Sequence, residues 1–279
     1  MAQITIENIT DVFEKSIEAD MDPRLRELLT GLVRHLHDFA RETRLTHDEW
    51  FAAMMFLTRA GAMTDDKRNE FVLIADVLGI ESLVDAITHD AQGDETESAV
   101  LGPFYREGAP VKGFDDTISM RGALDGETAR IRGRVVDRNG EPIAGATLDV
   151  WETARNGMYE QQDPDQPDMN LRGLFETAAD GTYSIRCVRP VSYPIPFDGP
   201  AGEVLAAMGR HPNRPGHIHM IVRKDGYQSL VSQLYDRSDP YLSSDAVYAV
   251  KGSLVVDFEA GGDGVEYTVT HNVVLKSST

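Results

Sequence analysis

Two histidines two residues apart, His217 and His219, stand in the run Arg214-Pro-Gly-His-Ile-His-Met-Ile-Val, whose apolar residues predict a β-strand. Side chains alternate faces along a strand, so both imidazoles are expected to point the same way. Neutral imidazoles side by side on a rigid strand make half of a transition-metal site, since imidazole suits zinc, copper, iron and nickel. Two histidines alone do not hold a metal stably. His211, one residue before Pro212, offers a third nitrogen, which with a water would suit zinc. Two tyrosines offer a different chemistry: Tyr159 in a polar stretch, and Tyr193 in Val191-Ser-Tyr-Pro-Ile-Pro-Phe-Asp-Gly-Pro, where prolines stiffen the backbone. A phenolate is a hard anionic donor that favours a ferric centre, whose charge lowers the phenol's pKa. On these residues alone both alternatives stand, and each tyrosine taken singly is as well explained by packing.

The elements that must position these groups change character near residue 97. Before it, Leu25, Leu28, Leu29, Leu32, Val33, Leu36 and Phe39 follow the spacing of one helix face, with Asp22-Pro23 as cap and first helical position. Thr46-x-x-Glu49 is a capping box ahead of a second helix, and Thr64 opens a further one that Gly79 can close. We expect three or four helices here, with His35, His37, His47 and His89 at solvent faces rather than at a site. After residue 128 the spacing alternates and is broken by turns. The runs at 129–136 and 146–151, joined through Asn139-Gly140, predict one hairpin; those at 173–177 and 183–188, joined through Asp180-Gly181, predict a second. Later runs at 217–223, 228–234, 253–258 and 266–275 bring the total to about seven or eight strands, which implies an antiparallel β-sandwich. The stretch 153–170, rich in Asp, Asn, Gln and Pro, is too long for a tight turn and is expected to lie over a functional region. The expected organisation is a helical domain over 1–96 followed by a linker and sandwich over 97–279.

A formal charge of −19 over 279 residues opposes binding to nucleic acid or to an anionic membrane surface, which leaves a small molecule as the expected partner. The single cysteine, Cys187, cannot form an internal disulfide and sits among apolar residues as a small buried hydrophobe. With no apolar leader and no long continuous apolar stretch, a cytoplasmic protein is expected.

Taken together, Tyr159, Tyr193 in Tyr-Pro-Ile-Pro-x-Asp-Gly-Pro, and Arg214-Pro-x-His-Ile-His resemble the iron(III)-binding signature of the intradiol ring-cleaving dioxygenases. Leu-Gly-Pro-Phe-Tyr at 101–105 and Asp-Val-Trp at 149–151 extend the resemblance, which spans nearly the whole chain. It implies one ferric ion per subunit held by Tyr159, Tyr193, His217 and His219 with a hydroxide, in a β-sandwich whose N-terminal helices form a homodimer with an elongated lipid-like ligand at the interface. It also implies that Tyr193 is the ligand that leaves, that Arg214 stabilises negative charge, and that Gln233 donates hydrogen bonds near the reacting centre. For the substrate pocket, Leu73 and Asp76 lie one helical turn apart, so an otherwise apolar helix would offer one carboxylate to a ring substituent. With Val100, Gly102, Pro103, Phe104, Ile195, Pro196 and Val247 they look most like the hydroxyquinol-cleaving branch; catechol enzymes tend to carry Gly-Pro-Leu where this chain has Gly-Pro-Phe. The expectation is oxidative opening of hydroxyquinol by O2 to 3-hydroxy-cis,cis-muconate, the enol form of maleylacetate. Cleavage of catechol or chlorocatechol to cis,cis-muconates is the alternative, and chlorocatechol enzymes also place Asp at the position of Asp76. Outside this family, a zinc hydrolase and a non-catalytic sandwich carrier are the competing readings.

Overall fold

A computed structural model describes residues 3–65, 68–89 and 93–278. The helices are α1 (Ile9–Ser16), α2 (Pro23–Thr43), α3 (His47–Met63), α4 (Glu70–Val77), α5 (Ile80–Thr88) and α6 (Pro200–Ala207). The strands are β1 (Thr128–Asp137), β2 (Thr147–Trp151), β3 (Arg172–Glu176), β4 (Thr182–Val188), β5 (Tyr193–Pro194), β6 (Asn213–Arg214), β7 (His217–Arg223), β8 (Leu230–Asp236), β9 (Val255–Val256), β10 (Glu259–Ala260), β11 (Tyr267–Thr270) and β12 (Val273–Leu275).

The helix signals act as their chemistry dictates. The Asp22 side chain accepts from Leu25 N with Pro23 at the first position, and Thr46 and Glu49 exchange the reciprocal bonds of a capping box. The helix expected to open at Thr64 opens instead at Glu70, because Asn69 accepts from both Phe71 N and Val72 N. The Thr64 hydroxyl bonds back to Ala60 O at the end of α3. Gly79, at φ +73°, turns the chain between α4 and α5. By compactness the chain divides into Met1–Arg59 and Ala60–Thr279. This line falls earlier than the compositional change at 97, since α4 and α5 are tied to the second unit: Glu70 accepts from Ala201 N, and Ser82 donates to Val247 O. Among the described residues no helix is long and apolar enough to cross a membrane.

Two five-stranded sheets, β10-β11-β1-β12 with β4 on β1, and β3-β2-β7-β8-β9, enclose one apolar core. Neither predicted hairpin pairs with itself. The 137–141 turn is tight, with Asp137 N donating to Glu141 O, yet β1 and β2 enter different sheets; so do β3 and β4. Alternation reports that a strand has two faces, not which sheet receives it. The sheets are also mixed rather than purely antiparallel: β1 runs parallel to β11 and β12, and β8 parallel to β9.

The second sheet sorts the site from the core by the two-residue period. Ile218, Met220 and Val222 of β7, Leu148 and Val150 of β2 and Leu234 of β8 face the core, leaving His217, His219, Trp151 and Gln233 on the other face. Pairing aligns Arg172, Trp151, His219 and Gln233 in one row across four strands, with His217 opposite Tyr235 in the next row.

Candidate active site

His217 and His219 are buried, with their Nε2 atoms 3.1 Å apart. His217 Nδ1 lies 2.7 Å from Pro215 O, so it must carry the proton and Nε2 keeps its lone pair for a ligand. The indole of Trp151 stacks on the His219 ring at 4.6 Å and 7°, and Gln233 Nε2 lies 3.3 Å from His219 Nδ1 while donating to Val100 O at 2.6 Å. Burial first, and the Arg214 guanidinium second, hold both imidazoles well below the usual histidine range. Both rings are therefore neutral and able to bind a metal.

The polar stretch 153–170 supplies Tyr159, and β5 supplies Tyr193. Gly157, at φ +76°, lets the two segments meet, because a Cβ there would lie 2.8 Å from Tyr193 Cβ. The Tyr159 hydroxyl is 3.0 Å from that of Tyr193 and 2.9 Å from His219 Nε2; Tyr193 closes the ring at 3.3 Å from His217 Nε2. Four donor atoms thus surround one point, two nitrogens and two phenol oxygens. Burial pushes both phenols up, so both ionise only with a further cation among them. Such a hard, anionic oxygen and neutral nitrogen set fits ferric iron. It offers zinc no third histidine, for His211 turns its ring to Tyr241 and bonds Ser244 and Asn213. Among the described residues no group of three or more His, Cys, Asp or Glu forms a metal cluster. Of the N-terminal histidines, His37 bonds Thr10 and His89 bonds Asp85.

Arg214, on β6 opposite Tyr193, is 4% exposed. Its Nε donates to Asp245 Oδ1 at 3.1 Å and its Nη2 to Gln233 Oε1 at 2.9 Å, while Nη1 lies 3.0 Å from His217 Nε2. Burial opposes its charge, but Asp245, Tyr235 and Tyr193 together more than offset that and keep the guanidinium cationic.

A small cavity of about 20 Å³ lies beside the donors, lined by all nine residues expected in the pocket: Leu73, Asp76, Val100, Gly102, Pro103, Phe104, Ile195, Pro196 and Val247. Tyr159, Tyr193, Arg214 and His219 complete its wall. Gly102, at φ +76°, stands where a Cβ would be 3.3 Å from His219 Cε1. Asp76 is buried, with Oδ1 lacking a hydrogen-bond partner. Burial, then a shared bond with Glu81, pushes its carboxyl up to about 9, so at neutral pH it is a neutral acid. A wider outer cavity of about 500 Å³ shares Leu73, Pro103, Phe104, Ile195 and Pro196 and leads outward past Met158 and Phe197.

Several contributors carried no sequence signal of their own. Trp151 was visible only as part of a motif, and Asp245, the partner of Arg214, only as the residue two before Val247. Tyr235, which donates to Gln233 Oε1, and the buried pair Arg172–Glu160 went unnoticed.

The described geometry has close counterparts. Residues 100–277 match a family model described as dioxygenase, and residues 22–96 one described as catechol dioxygenase N terminus. A catechol 1,2-dioxygenase of Candida albicans is 46% identical over 97% of this chain and 92% of its own. A hydroxyquinol 1,2-dioxygenase of Rhizobium is 46% identical over 91% of this chain and 90% of its own. Among solved structures, a hydroxyquinol 1,2-dioxygenase from Pseudomonas putida superposes with a TM-score of 0.91 at 43% identity, covering 98% of this chain and 99% of that one.

Proposed function

This chain belongs to the intradiol ring-cleavage dioxygenase family, and on that premise we propose that it cleaves hydroxyquinol with O2 to 3-hydroxy-cis,cis-muconate, the enol of maleylacetate, in aromatic catabolism. The observation that carries the reading is the ring of four donor atoms opening onto a pocket in which one buried carboxyl oxygen has no partner. Tyr159, Tyr193, His217 and His219 would hold one ferric ion per chain. Ferric iron supplies Lewis acidity that draws electron density from a bound diol and readies its ring for oxygen.

The residues of the chain do the rest. Tyr193, on a two-residue strand beside the pocket, would hold the iron and is placed to accept a proton from a substrate hydroxyl. Arg214, held by Asp245 and Gln233, sits where negative charge develops on the substrate and stabilises it. Gln233 ties that guanidinium to the His219 ring. Phe104, Ile195, Pro196 and Val247 exclude water from the ring faces, and Asp76 Oδ1 accepts a hydrogen bond from the third hydroxyl. Both oxygen atoms of O2 end in the two carboxyl groups formed where the bond between the adjacent hydroxyl-bearing carbons breaks.

The same reading makes the protein a cytoplasmic homodimer joined through its N-terminal helices around an elongated lipid-like ligand. Its support is the stripe of exposed Leu25, Leu28, Leu32, Leu36 and Phe39 along α2. Sedimentation and solvent extraction of purified protein test that part. For the reaction, oxygen uptake is measured with hydroxyquinol and catechol in parallel, with heat-killed protein subtracting spontaneous oxidation. Preference for hydroxyquinol is expected, together with strong colour from tyrosinate-to-iron charge transfer. Equal or faster uptake with catechol overturns the substrate, and a colourless protein with full iron content overturns the ligand set.

A further inference from the structure

Arg172 is a buried charged side chain, 1% exposed, that has no part in the chemistry described so far. It begins β3 opposite Trp151, at the far end of the row that runs through His219 to Gln233. Its Nε donates to Glu160 Oε2 at 2.9 Å and its Nη2 to the main-chain oxygen of Phe104 at 2.8 Å. The carbon at the centre of its guanidinium stands 5.9 Å from the centroid of the Tyr159 ring. The Phe104 ring stacks on Tyr159 at 4.8 Å and 26°. One arginine therefore touches the residue next to Tyr159 in sequence, the ring of Tyr159, and the backbone of the residue that stacks on it. Glu160 does not neutralise Arg172 alone, since its other oxygen accepts from Arg106 at 2.7 Å.

We infer that Arg172 is a positioning residue for Tyr159: with Glu160 and Arg106 it fixes the phenol as the ligand that stays while Tyr193 leaves, and through Phe104 it couples that ligand to the pocket wall. The contrast between the tyrosines supports this. Tyr159 is held by a stacked ring, a neighbouring ion pair and a bound backbone. Tyr193 lies on a two-residue strand in a proline-rich segment that ends at the exposed Phe197. A buried fork donating to a carboxylate and to a carbonyl is a task lysine cannot reproduce. A cation beside a phenolate also lowers the energy of its electrons, so its loss moves the tyrosinate-to-iron band to longer wavelength.

The inference rests on Tyr159 as an iron ligand, and the test separates the two. Iron-loaded wild type, Arg172→Gln, Arg172→Lys and Arg106→Gln are compared by visible absorption, by iron retention against a chelator, and by circular dichroism for the fold. Arg172→Gln is expected to shift the band to longer wavelength and to weaken iron retention on the order of 10–100-fold, the usual effect of losing a group that orients a metal ligand. Arg172→Lys is expected to keep the band position but not full retention, since it returns the charge and not the fork. Arg106→Gln leaves Glu160 to Arg172 alone and is expected to give a smaller shift in the same direction. A folded Arg172→Gln with unchanged band and retention overturns the inference; if that variant does not fold, an unchanged band in Arg106→Gln does so. A colourless wild type overturns the ligand assignment itself.

Discussion

Asp76 gives the sharpest prediction about substrate choice. Its carboxyl is buried among apolar pocket residues, is neutral at pH 7 with its pKa pushed up to about 9, and leaves Oδ1 without a hydrogen-bond partner. A third substrate hydroxyl that donates to this oxygen gains a hydrogen bond and satisfies a buried acceptor at once. In Asp76→Ala the substrate hydroxyl is left unpaired in an apolar wall, at a cost of about 1–3 kcal/mol. At 1.36 kcal/mol per decade that is roughly a 5–150-fold loss in kcat/KM for hydroxyquinol. Catechol has no hydroxyl to strand there, so its kcat/KM is expected to stay within about threefold, or to rise as an unsatisfied polar group disappears from the pocket. Asp76→Asn keeps a neutral group with a carbonyl acceptor and is expected to stay near wild type on both substrates. The assay is initial oxygen uptake over a concentration series of each substrate, corrected for spontaneous oxidation. Equal losses on both substrates in Asp76→Ala would refute the reasoning, and so would an Asp76→Asn as impaired as the alanine variant, since that would show that the ionised carboxylate matters.

Three further outcomes are expected. Tyr159→Phe and Tyr193→Phe each remove one of the two phenol donors, so each should alter the visible band of iron-loaded protein, whereas a zinc enzyme would be colourless and indifferent to Tyr193→Phe. Gly102→Ala places a methyl 3.3 Å from His219 Cε1 at φ +76°, and should cost about 1–2 kcal/mol in backbone strain together with weaker iron retention, read by thermal unfolding and metal analysis. Glu152 is buried with Oε2 unpartnered and its carboxyl pushed up to about 8 by burial, against 4.5 when unfolded. The folded chain thus keeps a proton that the unfolded chain gives up. Its contribution is fully present below pH 4.5 and is lost by pH 8, on the order of 5 kcal/mol at 1.36 kcal/mol per unit. Glu152→Gln should accordingly unfold at a temperature that depends less on pH across this window; a slope equal to that of wild type would mean the carboxyl finds another way to ionise.

The site was legible in the sequence to the extent that it is local. His217 and His219 share a face because strand periodicity forces it, and the turn at Gly79 and the caps at Asp22 and Thr46 follow from backbone chemistry within four residues. That Tyr159 and Tyr193 meet these histidines came from the order and spacing of a family signature, since no local rule brings a loop residue across a sheet. What stayed hidden depends on pairing between distant segments. The Arg172, Trp151, His219, Gln233 row exists only once β3, β2, β7 and β8 are in register. The two false hairpins fail for the same reason: a good turn fixes where the chain reverses, while the apolar faces decide which sheet receives each arm.

The parallel partners of β1 also bear on how the molecule is made. Ala129 pairs with Tyr267 and Val135 with Val273, so the first strand of the sandwich waits for residues about 140 positions later before both its edges are occupied. A growing chain exposes Tyr159, Tyr193, His217 and His219 well before that closure, and until then the edge of β1 opposite β4 is open to foreign pairing. Synthesis at about 5–20 residues per second makes the delay roughly 7–28 seconds long. During heterologous production, lower temperature and slower initiation should therefore raise the yield of folded protein more than added iron does.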